Sequence, residues 1–324
     1  MANSITLAKT YTNLLDEVYQ QAALTADLES DASLARAGAN ANEIVIPKIS
    51  MDGLADYSRN SGYVNGDVSL TWETVKYNYE RGRAFMVDDM DNEETQNLAF
   101  GRLAGEFIRT KVVPELDAFR FATYAGTAGV GSATGTLATG EAVIAALRTA
   151  TSDMDEAEVP MEQRFLYITP TLLGLVQDLD TTKSKEVLAR FAAIKTVPQT
   201  RFYSAIDLLD GVTGGEKVGG YKKASGAVDL NFEIVHKPAV LQFTKHAVPK
   251  IIPPAQNQDA DAWKYGYRNY GLCDVYENKT AGIYVHKKEA LGKIIGLIPQ
   301  PQQKEKEQVK KPAPKPIKKP ATEK

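Results

Sequence analysis

Apolar residues recur at helical spacing near the start of the chain, where Leu7, Tyr11, Leu14, Leu15, Val18 and Ala22 fall on one face of a predicted helix. That face can pack on its own core or on another copy of the chain. The pattern then changes period. Residues 43–49 read as a strand, and residues 69–84 as a longer one, with Trp72, Thr74, Tyr77 and Tyr79 supplying β-branched and aromatic bulk. Between them lie Gly53, Gly62 and the pair Asn65-Gly66, which favours a tight hairpin turn. The expected product is an extended two-stranded arm over 43–84 with a polar tip at 59–66. An isolated hairpin is marginal in water, so the arm must lie on something.

A helix start follows, with Asp91 as expected N-cap, Glu94 as its capping-box partner, and Asp88, Asp89 and Glu93 favouring the positive end of the helix dipole. Its apolar face runs through Phe100, Leu103, Phe107, Ile108, Val112, Leu116 and Phe119, and Gly101 and Gly105 would allow close approach of another backbone. Pro114 removes a backbone donor, which predicts a kink or a second helix beginning there. Residues 126–135 are too rich in glycine and small residues for regular structure and mark the expected domain boundary. Beyond them a helix at 141–152, a strand at 164–169 and a helix from Pro170 alternate in the α/β manner. Strands are expected at 228–236, 239–243 and 273–276, with a turn at Asn278-Lys279 and a return strand at 282–286. The run 211–220 reads as a surface loop.

From Pro299 the chain is Lys, Pro, Gln and Glu with almost no large apolar side chain, so disorder is expected. This tail is either simply solvated or in electrostatic contact with DNA or an acidic partner. Its lysines also mask the charge of the remainder. The formal net charge of −3 averages a basic tail and a distinctly acidic body, and an acidic body argues against a dedicated nucleic-acid reader. With 43% hydrophobic residues in 324, the chain is globular and large enough for one or two cores. Cys273 is the single cysteine, which excludes an intrachain disulfide and fits a reducing compartment. The start has no signal-peptide pattern, and no run approaches the roughly 18 apolar residues of a membrane span, so a soluble protein made without export is expected.

Catalytic constellations are missing from the pattern. His236, His246 and His286 are well separated and lack the paired spacing of a zinc site. Gly129-Val130-Gly131 follows a helical segment, which fails the dinucleotide fingerprint, and 211–220 lacks the Gly-Lys-Ser/Thr ending of a phosphate loop. The acids Asp88, Asp89, Asp91, Glu93 and Glu94 lack the alternating spacing of a calcium loop, and a helix start accounts for them. The arm's aromatics could stack on bases, but a ribbon lying on a neighbouring subunit explains them without a basic groove. No catalytic, metal-binding or cofactor-binding residue is assigned, and the chain reads as a structural protein, not an enzyme.

The order of elements, together with Ile44-Val45-Ile46-Pro47-Lys48, Gly53-Leu54-Ala55-Asp56-Tyr57, Arg83-Ala84-Phe85-Met86-Val87-Asp88-Asp89-Met90-Asp91 and Val113-Pro114-Glu115-Leu116-Asp117, resembles the Hong Kong 97 fold of tailed-bacteriophage major capsid proteins. Asp261-Ala262-Trp263-Lys264-Tyr265 and Gly282-Ile283-Tyr284-Val285-His286 are similar to the closing strands of that family, and the resemblance spans residues 1–287. It implies an α+β fold with an N-arm at 1–42, an E-loop hairpin at 43–84, the spine helix and P-domain at 85–125, an inserted α/β A-domain at 126–240 and return strands of the P-domain at 241–298; the Lys/Pro-rich tail at 299–324 is not a feature of that family. It further implies pentamers and hexamers closing into an icosahedral shell around double-stranded DNA, in a virion assembled in the host cytoplasm, with a portal and no membrane. Because the arm begins by Glu43, no room is left for a cleaved scaffolding segment, so a separate scaffolding protein is expected. Tyr57, Arg59, Tyr63, Trp72, Tyr77 and Tyr79 are the candidate inter-subunit contacts. Lys48, Lys76 and Asn278 match the residue types of the family's self-crosslink, but no motif ties them together. Two other readings are an encapsulin-like nanocompartment shell and a soluble nucleotide-binding α/β enzyme.

Overall fold

A computed structural model describes residues 23–31, 36–37, 42–94, 103, 105–179 and 181–289. The expected amphipathic helix at 7–22 and the Lys/Pro tail from 299 lie outside them. The short strand β1 (Arg36–Ala37) pairs with β2 (Glu43–Met51), which pairs antiparallel with β3 (Val68–Lys76) from Glu43↔Lys76 to Met51↔Val68. The single strand expected at 69–84 is in fact two. The chain breaks at Tyr77 and Asn78, and β4 (Tyr79–Asp88) leaves the arm for another sheet.

Helix α1 (Asp89–Glu94) begins earlier than the acidic pattern suggested, because Asp88, not Asp91, accepts the N–H of Met90 at 3.0 Å. Asp89 is spent differently, accepting from the indole Nε1 of Trp263 at 2.8 Å. Further on, Ile108–Val112 form one π-helical turn leading into α2 (Val113–Gly126). Pro114 explains it. Its ring crowds the preceding turn and it has no N–H, and the wider turn carries the N–H of Val113 back to the carbonyl of Ile108.

The glycine-rich stretch after α2 is not all loop, since Gly131–Thr134 form β5 beside a later strand. A Cβ on Gly131 would stand 2.7 Å from the Tyr284 ring, which is why this edge needs glycine. There follow α3 (Gly140–Glu156), β6 (Arg164–Ile168), α4 (Pro170–Asp178), α5 (Thr182–Leu188), β7 (Ala193–Thr196), the small hairpin β8 (Ile206–Leu208) and β9 (Tyr221–Lys223), and β10 (Leu230–His236). Thr139 caps α3, and Thr181 and Ser184 form a capping box on α5. The last strands are β11 (Val240–Ile252), β12 (Ala262–Val275) and β13 (Ile283–Lys287). The 14-residue β12 replaces the short strand expected at 273–276. It is long because it is paired along both edges, by β11 and by β4.

The largest sheet has the order β5-β13-β10-β6-β7, with parallel pairs at both edges and antiparallel pairs inside. Its central strands β6, β10 and β13 are buried along nearly their whole length because both faces are covered. On one face Leu166, Ile168, Phe232, Ile234 and Tyr284 meet α3, α4 and α5. On the other Tyr167, Val235, Ile283 and Val285 meet Phe121, Tyr124 and Ala125 of α2. The base of the arm has its own core, where Ile44, Ile46 and Val75 pack on Leu241, Phe243 and Leu272.

Candidate assembly surfaces

Strand alternation gives the arm two unlike faces. Ile44, Ile46 and Val75 point to one side and are buried against β11 and β12, and further out the same side carries Lys48, Ser50, Ser69, Thr71 and Glu73. The opposite side carries the cross-strand pairs Pro47↔Trp72, Ile49↔Leu70 and Met51↔Val68. Of these, Ile49, Met51, Val68 and Leu70 are 53–72% exposed and Trp72 is 45% exposed. A contiguous apolar stripe of this kind marks an interaction surface. Toward the tip, Asp52 binds the backbone of Asp67 in both directions, and the exposed rings of Tyr57 and Tyr63 meet edge-on at 4.9 Å. Arg59 is exposed in the same turn.

Tyr77 and Tyr79 belong elsewhere. Tyr77 is half-buried at the joint between arm and body, its ring 4.8 Å from that of Tyr270 with the Lys245 ammonium 4.9 Å above it. Tyr79 is 3% exposed in its own subunit, donates to Glu115 at 3.3 Å and packs on Phe119. Burial and the Glu115 carboxylate push its hydroxyl pKa upward. Of the six sequence candidates, the structure therefore brings Tyr57, Arg59, Tyr63 and Trp72 to the surface of the arm, and gives Tyr79 no surface to offer a neighbour.

A buried polar cluster escaped the sequence reading. Asp117 on α2 is fully buried and accepts from the backbones of Leu24 and Thr25, the Thr25 hydroxyl and the Arg201 guanidinium, at 2.8–3.3 Å. Arg120 donates to the same Thr25 hydroxyl, and Gln242 receives the Tyr124 hydroxyl while donating to the Thr25 carbonyl. The cluster ties residues 24–30 to α2 and β11. Its only sequence signal was polar residues on the helix: Asp117 and Arg120 stand three apart, which puts them on one face of α2.

A cleft of about 970 Å³ lies between β4, the turn before α2 and the glycine-rich loop 209–221. Arg81 and Arg83 hold that loop through the carbonyls of Leu209, Lys217, Val218 and Gly220, and Arg81 also pairs with Glu115 at 2.7 Å. Both arginines are thus committed to the loop and, for Arg81, to Glu115. Elsewhere, His286 stacks on Phe232 and bonds Asn231, and burial lowers the pKa of both His286 and His236. Among the described residues no group of three His, Cys, Asp or Glu side chains is placed to hold a metal ion. Nor does any described helix have the length and apolarity to cross a membrane.

No family model matches this sequence, and no curated protein does. Solved structures do. The capsid structure of the cyanophage P-SCSP1u superposes with a TM-score of 0.60 at 15% identity, over 87% of this chain and 93% of that one. The structure of Mycobacterium phage Che8 gives 0.58 at 14% identity, over 88% and 98%. The capsid structure of Staphylococcus phage Andhra gives 0.55 at 10% identity, over 90% of each chain. With coverage nearly complete on both sides, the chain has the α+β fold of these phage capsid structures.

Proposed function

We propose that this chain is a structural capsid subunit of a tailed bacteriophage, assembling with copies of itself into an icosahedral shell around double-stranded DNA, and that it is not an enzyme. The observation that carries the reading is the arm. One of its faces is bound to its own subunit at the base, and the other presents an exposed apolar stripe from Pro47 to Trp72. Heterologous contacts of this type, a ridge on one copy against a different surface on the next, generate rings when the rotation closes. In this reading 43–76 is the E-loop, and β4, β11, β12 and the helical segment through α2 make up the P-domain with its spine helix. The five-stranded sheet with α3–α5 is the A-domain. Tyr57, Arg59, Tyr63 and Trp72 contact the neighbouring copy, pentamers and hexamers are the intermediate rings, and a separate scaffolding protein and a portal complete the particle in the host cytoplasm.

Negative-stain microscopy of the purified chain tests this directly. Uniform shells, rings or tubes are expected, and a dispersed small oligomer would refute the proposal. Replacing Ile49 and Leu70 together by glutamate should abolish those particles while changing subunit stability by only about 0.5 kcal/mol, the usual scale for surface positions. A double variant that assembles like the parent would show that the stripe is not the contact.

A further inference from the structure

We infer that Asn78 sets the direction of the arm, by lending its side-chain amide to a place in the sheet that the backbone has vacated. The β4–β12 ladder runs from Ala262↔Asp88 to Gly271↔Tyr79 and stops there. Two residues further along β12, Cys273 directs its N–H and carbonyl toward the same edge, where Tyr77 would stand if the strand continued. Tyr77 has turned away, and its N–H donates instead to the carbonyl of Asn42 at 3.1 Å. The Asn78 amide fills the gap: Nδ2 donates to the Cys273 carbonyl at 2.7 Å, and the Cys273 N–H donates to Oδ1 at 3.0 Å.

A carboxamide carries the donor and the acceptor of a peptide unit, which is why this clip needs Asn. Aspartate has no donor, serine offers a single atom, and leucine neither. Without the clip, the backbone of the buried Cys273 loses both partners on that edge. The chain can therefore leave one sheet and enter another over two residues with its ladder groups satisfied.

Direction matters because the arm is long. The nine residues of β2 span about 30 Å at roughly 3.4 Å each, so a swing of about 10° at the joint moves the far end by about 5 Å. On the shell reading above, on which this second step rests, such a displacement shifts the stripe by more than one residue against the neighbouring copy. Asn78 is thus a positioning residue: its amide is spent on Cys273 of its own chain, and it determines where the contacting side chains arrive.

Hydrogen–deuterium exchange on the full-length chain before assembly tests the clip, with negative-stain microscopy of the same samples. Asn78→Asp keeps the shape and removes the donor, Asn78→Ala removes both groups, and Asn78→Gln retains both on a longer stem. Exchange about tenfold faster is expected in the fragments covering Cys273 and the arm base in the Ala variant, which leaves the Cys273 N–H without its acceptor, and a smaller rise in the Asp variant, which keeps that acceptor and loses only the bond to the Cys273 carbonyl. The fragment 164–168 should stay at the parental rate, and Gln should recover part of the protection. Particles should change from one size to a mixture with open sheets. Unchanged exchange at Cys273, or an equal rise at 164–168, would overturn the inference, as would uniform parental particles from a variant whose arm exchanges fast. If the parent forms no particles yet the exchange pattern is as expected, the shell reading fails and the clip stands.

Discussion

Replacing Asp117 by alanine removes the centre of the buried polar cluster, and its cost follows from the contacts. The Arg201 side chain is 2% exposed and its guanidinium lies 3.1 Å from the Asp117 carboxylate, so the substitution strips a buried cation of its carboxylate. Breaking a buried pair from one side costs about 3–5 kcal/mol, because the remaining charge stays desolvated. At roughly 2–4 °C per kcal/mol for a chain approaching this size, the midpoint should fall by about 6–20 °C. The measurement is thermal unfolding of the chain at fixed concentration, since any self-association would add its own stability. Residues 24–30 should also become sensitive to proteolysis, because Leu24 and Thr25 lose the oxygens that hold them. A double-mutant cycle separates the causes. Asp117→Leu with Arg201→Met should be less damaging than either change alone, as expected when the penalty is an uncompensated charge. A midpoint drop under about 2 °C for Asp117→Ala, or additive losses in the cycle, would refute the reasoning.

Two further outcomes follow from single positions. Neither carboxyl oxygen of Glu233 finds a hydrogen-bond partner among the described residues, and burial holds its pKa well above the ordinary 4.5, so the folded chain keeps a proton that the unfolded chain releases. Stability should therefore fall as pH rises above about 4.5, and Glu233→Gln should flatten that slope, raising the midpoint at pH 8 but not at pH 4; an unaltered slope would refute it. Gly140 opens α3 against the carbonyl of Leu175, with the Leu179 side chain 2.7 Å from where a Cβ would be, so Gly140→Ala should lower stability by about 1–3 kcal/mol in denaturant unfolding.

The elements that carry strong local patterns were legible in the sequence. The alternation at 43–49, the helix after Thr139, the strand before Pro170 and the apolar run of β10 needed only their own residues. The break at Tyr77 and Asn78 was not legible, because the alternation continues through Tyr77 and Tyr79 and the bond made at the break joins Asn78 to Cys273, 195 residues away. The helix start was misplaced by the same limitation: several acids compete for the cap, and Trp263 draws Asp89 out of the competition. Pro114 was read correctly as a disturbance, but its resolution as a π turn depends on where the carbonyls of the preceding turn can be met. As for the proposed contact surface, the expected arm ran on to residue 84, which placed Tyr79 among the candidate contacts when it is buried in β4 of its own chain. Asp117 and Arg120 carry no local sign of burial in the sequence. Only the segment at 24–30, arriving from 92 residues away, turns them inward.

The place of β13 in the largest sheet has a consequence for how the chain is made. β13 is the last described strand, yet β5 has no other partner, and β10 is bonded on one side by β13. Ile283 and Val285 also complete the core beneath α2. During synthesis the arm leaves the ribosome about 200 residues before β13 does, which at 5–20 residues per second is roughly 10–40 s. Throughout that interval neither the sheet nor the surface that receives the arm base is finished, because Leu241, Phe243 and Leu272 are also late. Closure of the sheet therefore waits until residues 283–287 have been made. A chain cut short upstream of residue 283 cannot close its sheet, and the core beneath α2 stays incomplete.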